Sequence, residues 1–190
     1  MFRFVETIQN RLKTAKPIIL KITPIVEKMP LPMRRYDDPF LPFSKSIIKA
    51  SRNHVAGYMF DFPAYLALGA AGAIALERSI AFAQGTVTIL HGAFATSQYT
   101  SVVADTGFSV DAVTVQDPVT KVTFDDSGTF AILINGDANA VYDTAKSVVR
   151  LSTDLNSNVL TVLGDDVIYS DAGDDFEHTI HSILEAKNFD

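Results

Sequence analysis

The sequence predicts an α/β domain, either a layer or a barrel, and three observations point there. Short β-branched and aliphatic runs alternate with one-sided helical patterns, which implies parallel strands joined by right-handed crossovers. No internal repeat, Gly/Ser linker or low-complexity tract divides the chain. Its 190 residues with 47% hydrophobic content suffice for one good core. They fall short of the about 250 residues usual for a full eight-unit barrel.

The elements follow in order. Phe2, Val5, Ile8 and Leu12 recur at helical spacing with basic residues between them, so residues 1–16 read as a basic amphipathic arm and 17–190 as the β/α domain. The arm has two readings: an organelle-import remnant or partner-docking arm, or an ordinary entry helix, since import segments avoid acids and Glu6 is present. Residues 17–22 form a first strand stopped by Thr23 and Pro24, and a proline-rich loop runs over 29–42. Phe43, Ile47, Ile48 and Ala50 predict a helix over 43–52, and 55–60 a second strand. A long helix starts near Pro63, which suits a first turn because proline has no N–H to leave unpaired. Strands are expected at 86–90, 112–115, 130–134, 159–163 and 167–169, with helices at 96–104 and 138–151. Phe176, Ile180, Ile183 and Leu184 mark a last helix.

Charge narrows the function classes. The formal net charge of −6 argues against a phosphate-backbone footprint, which would be basic and clustered, so no nucleic-acid partner is expected. The ends differ: the first 35 residues are basic and the region beyond Asp154 is almost entirely acidic. The absence of cysteine removes disulfides, thiolate chemistry and Cys-ligated metals. The longest apolar window, 62–76, is shorter than the roughly 18 to 20 residues a bilayer helix needs, so no segment is expected to span a membrane; peripheral association with a membrane complex is compatible with the sequence but has no direct support in it.

The segment TVTILHGAFAT (86–96) has the form of a buried strand whose end faces a ligand site, yet its end is small and neutral. MRRYDDPFLPFSK (33–45), VAGYMF (55–60), AYLALGAAG (64–72) and VDAVTV (110–115) surround it in order. Together these segments resemble the longer bacterial-type branch of orotidine 5'-phosphate decarboxylase over about residues 18–117. The resemblance implies a TIM-barrel-like domain, truncated or remodelled. It also implies where charged groups should stand. The family's Asp after the first strand falls on Thr23, and its Lys at the end of the second on Met59. Its Asp-x-Lys-x-x-Asp set falls on His91, Ala93 and Thr96. No late glutamine loop is found, and Tyr169-Ser170-Asp171 lacks the phosphate-gripping arginine.

Five neutralised positions imply a pseudoenzyme, because electrostatic preorganisation needs the charges themselves. No cofactor is expected. The leading expectation is a noncatalytic accessory subunit of a larger assembly, mitochondrial or in another organelle and otherwise cytoplasmic: a respiratory complex, ATP synthase or ribosome. A shortened barrel would leave strand edges and apolar faces for protein partners to cover. The alternative is a ligand-binding protein or divergent enzyme using His91, Thr96 and Thr23. Asp61 and Asp117 stand as spare acids without an accompanying lysine. His178 and His181, three apart, are weak metal candidates against the simpler reading of an acid-rich helix start.

Overall fold

The computed structural model describes residues 2–92, 96–104, 107–152 and 158–188. Its centre is a closed barrel of eight strands in sequential order: β1 (Lys16–Ile22), β2 (Val55–Asp61), β3 (Val87–His91), β4 (Ala112–Val115), β5 (Phe130–Ile134), β6 (Ala140–Asp143), β7 (Val148–Leu151) and β8 (Val159–Leu163). Strand alternation divides the apolar residues between two cores. Ile18, Leu20 and Ile22, with Tyr58 and Phe60, face the surrounding helices. Ile19, Met59, Ile89, Ala112 and Ile132 fill the barrel.

Helices α2 (Phe40–Ser51), α4 (Gly69–Phe82) and α7 (Phe176–Ala186) cover the early strands. Buried tyrosine hydroxyls on this side are satisfied, Tyr65 by Ser44 at 2.6 Å and Tyr58 by Ser51 at 2.9 Å. The long helix expected from residue 63 is two. α3 (Phe62–Leu66) and α4 are separated at Gly69, whose φ of 56° suits a residue without Cβ. A Cβ at Gly72 would run into the Tyr65 carbonyl, so that glycine lets the two helices close on each other. Residues 96–104, expected as a helix, hold a 3-10 turn over Ser97–Val102.

Of the two readings of the first segment, the packing is that of an entry helix seated in its own barrel. Helix α1 (Arg3–Arg11) places Phe4, Val5 and Ile8 in the interior core, where Phe4 stacks on Phe130 at 4.6 Å. Arg3 pairs with the buried Asp111 at 2.6 Å, and Arg11 donates to the carbonyls of Arg52 and Val55. The amphipathic pattern is that of a plug for the N-terminal end of the barrel.

The second half corrects the sequence reading most. Residues 138–151 are an antiparallel hairpin, β6 with β7, and β7 also pairs antiparallel with β8. The pattern A-V-Y-D then V-V-R-L has period two, and Ser147 in the turn has φ of 52°. The all-parallel expectation therefore fails at β7. Strand β6 runs parallel to β5 although only residues 135–139 connect them. Parallel neighbours normally need a crossover of a dozen or more residues. Here the paired stretch is short, Leu133 with Val141 and Ile134 with Tyr142, and Asn135 (φ 49°) turns the chain back at once. Residues 167–169, expected as a strand, belong largely to the short helix α6 (Asp165–Ile168). Helix α5 (Pro118–Asp126) was not foreseen. Because β8 pairs with β1, the barrel closes and offers no open strand edge among the described residues, contrary to the expectation from a shortened barrel.

Candidate functional site at the barrel mouth

On five strands the inward-facing position one step above the apolar interior carries a polar group, whereas on β5 that position is Ile134. Lys21 follows Ile19 on the inner face of β1, Asp61 follows Met59 on β2, His91 follows Ile89 on β3, Thr114 follows Ala112 on β4 and Tyr142 follows Ala140 on β6. This is the C-terminal end of the parallel strands, where barrel enzymes place their chemistry. Register puts Asp61 opposite His91.

Lys21 Nζ lies 3.0 Å from Asp61 Oδ2, with both side chains mostly buried. Asp61 also caps α3, its Oδ1 accepting from the Ala64 N–H at 3.2 Å. Asp61 thus has a lysine after all, one the sequence reading did not supply. His91 Nδ1 lies 2.9 Å from Thr114 Oγ1, which accepts the Gly92 N–H at 3.2 Å. Thr114 is fully buried and its hydroxyl proton has no other acceptor among the described residues, so it is donated to Nδ1, which places the imidazole proton on Nε2. Burial, and next the Lys21 ammonium, push the His91 pKa down to about 4 against the opposing pull of Asp61. His91 is therefore neutral at pH 7. Its ring meets Tyr142 edge to face at 5.6 Å. Burial raises the Tyr142 pKa, so its hydroxyl stays protonated.

The expected site residues separate. Met59 is fully buried among the barrel's apolar side chains, filling space rather than offering a functional group. Thr23 sits past the end of β1, and its carbonyl accepts from the Tyr169 hydroxyl at 2.6 Å. Thr96 is exposed at the start of the 3-10 turn. Ala93 lies outside the described residues. Only His91 of that set joins the mouth cluster. Asp117 is a helix cap, accepting from the Thr120 hydroxyl and backbone N–H, bonds that hold its pKa below the usual carboxylate range. His181 pairs with His54, Nδ1 to Nε2 at 2.9 Å, rather than with the exposed His178. Among the described residues no three His, Asp or Glu side chains group as metal ligands.

No family model and no curated protein matches this chain. Solved structures do match. A putative orotidine 5'-phosphate decarboxylase from Streptomyces avermitilis superposes with a TM-score of 0.68 at 13% identity, covering 97% of this chain and 94% of that one. The fold is that of the orotidine 5'-phosphate decarboxylase barrel. A putative orotidine-monophosphate-decarboxylase from Toxoplasma gondii matches at 20% identity and TM-score 0.59, over 70% of this chain and 49% of that one. The Leishmania donovani OMP decarboxylase matches at 16% and 0.58, over 73% and 55%. The chain spans about half the length of these last two.

Proposed function

We propose that this chain is a decarboxylase-like pseudoenzyme, a barrel that has given up that family's reaction and acts as a noncatalytic subunit of a larger protein assembly. The observation that carries the reading is the mouth itself. Among the described residues its one lysine and one carboxylate, Lys21 and Asp61, neutralise each other at 3.0 Å, and Met59 occupies a position where the resemblance expects a lysine. A reaction that works by aiming several charges at a developing carbanion has no such array here.

Support for an assembly comes from the flank beside β3 and β4. Leu66 and Ile74 on α3–α4, Tyr99 on the 3-10 turn, and Val119 and Val122 on α5 are all large, apolar and exposed. A groove of ≈ 430 Å³ lined by Ile74, Val102 and Phe108 runs between α4 and the 3-10 turn. Apolar surface gathered on one side is a common mark of a partner site. A mitochondrial location rests on the basic first helix alone. Because that helix is also the barrel plug, an address written in it must be read before the chain folds.

Two measurements test the reading. The purified protein given orotidine 5'-monophosphate should release no carbon dioxide above the uncatalysed rate; turnover would overturn the pseudoenzyme. Isolation at native size from source cells, with mass spectrometry of comigrating chains, should find this chain in a large complex. Recovery as a free monomer would overturn the subunit role. The alternative, a ligand-binding protein or divergent enzyme, draws its support from the donors left unpaired at the mouth.

A further inference from the structure

Three hydrogen-bond donors at the barrel mouth have protons that no described residue takes up. His91 uses Nδ1 on Thr114, which leaves Nε2–H free, and Lys21 spends one of its three protons on Asp61. Tyr142 is 6% exposed, yet no described residue hydrogen-bonds its hydroxyl and that oxygen is not among the sealed, unsatisfied atoms. The phenol ring is thus held in the barrel wall while its hydroxyl opens on the mouth, where a ligand oxygen could accept its proton. The His91 ring fixes its position by edge-to-face contact. One acceptor, Asp61 Oδ2, borders the same layer through Lys21. Below lies a closed floor of Met59, Ile89 and Ile132.

We propose that this mouth binds a small uncharged carbonyl compound, whose oxygen accepts from His91 Nε2–H and Tyr142 Oη–H and whose own N–H or O–H is donated to Asp61. Charge selects the class. Lys21 and Asp61 cancel and the other three groups are neutral, so a bound anion would bring an uncompensated charge into a mostly buried site. A neutral carbonyl satisfies the spare donors without breaking the ion pair. The inference rests on the ligand-binding reading of the mouth and is independent of whether the chain also sits in an assembly.

The test uses lactamide, with lactate and inorganic phosphate as charged comparators, on protein carrying ¹⁵N-labelled histidine. Lactamide should shift the His91 Nε2 signal saturably at millimolar concentration. Tyr142→Phe, which deletes one oxygen, should weaken that binding about tenfold while leaving the histidine spectrum of the free protein folded. No saturable shift, or equal affinity in Tyr142→Phe, overturns the site. Lactate or phosphate binding as tightly as lactamide overturns the uncharged class. Absence of decarboxylation or of a complex changes neither result, so this proposal and the pseudoenzyme reading fail separately.

Discussion

The two halves of this barrel close the same ring by different means. From β1 to β5 each connection except that from β3 to β4 carries an α-helix, and strands pair parallel. From β5 to β8 the chain makes three short connections, and β7 runs against its neighbours. Its outward side chains there include Arg150, Val159 and the partly exposed Asp143, so this wall meets solvent as an antiparallel sheet does. The chemistry follows the division. Lys21, Asp61, His91 and Thr114 come from the helix-covered half, and the hairpin half adds Tyr142. One half positions groups; the other completes the circle with few residues.

This contrast can be broken by substitution. The largest effect is expected at the plug: Phe4→Ala removes a fully buried ring stacked on Phe130 and should cost about 3 to 5 kcal/mol in urea unfolding. A loss under about 1 kcal/mol would mean that α1 is dispensable to the barrel. Next comes acidity. His91 has a folded pKa pushed down to about 4 and burial lowers that of His54, so the unfolded chain takes up these protons first as pH falls. Their share of stability is present above the unfolded value near 6.5 and is lost below it. For His91 the loss between pH 7 and pH 5 should be about 2 kcal/mol, read as a pH dependence that flattens in His91→Gln. An unchanged slope would separate His91 from the titration. The smallest effect is expected in the hairpin half. A Cβ at Gly136 would strike the flexible end of Leu133, so Gly136→Ala should cost on the order of 1 kcal/mol by thermal melting. A stabilised variant would show that the tight β5–β6 return does not need its glycine.

The first half was largely legible because its strands are dense β-branched runs bounded by turn residues: expected 112–115 is β4, and expected 86–90 is β3 displaced by one residue. The hairpin was misread because Ala138 to Leu151 supplies apolar residues often enough to satisfy a helical period, while its two-residue alternation is spread over two four-residue strands. Helix α5 was missed although Asp117, Pro118 and Thr120 spell out its start, a capping carboxylate and then proline in the first turn. In the site, His91 was visible as a polar end to a strand. Lys21 was not, although a lone lysine between Leu20 and Ile22 is itself a signal. With Ile18, Leu20 and Ile22 turned outward, Lys21 must turn in. Its meeting with Asp61 depends on strand register, which no local pattern carries.

The plug also sets an order of events during synthesis. Arg3 reaches the carbonyl of Val110, a separation of 107 residues, and Phe4 needs Phe130. Helix α1, which precedes every strand, is thus among the last elements to find its seat, and ring closure waits longer still, until β8 emerges to pair with β1. Such distant partners make for slow folding and leave an apolar helix uncovered while the chain grows. The apolar face of α1 is therefore open to chaperones until β4 and β5 have emerged.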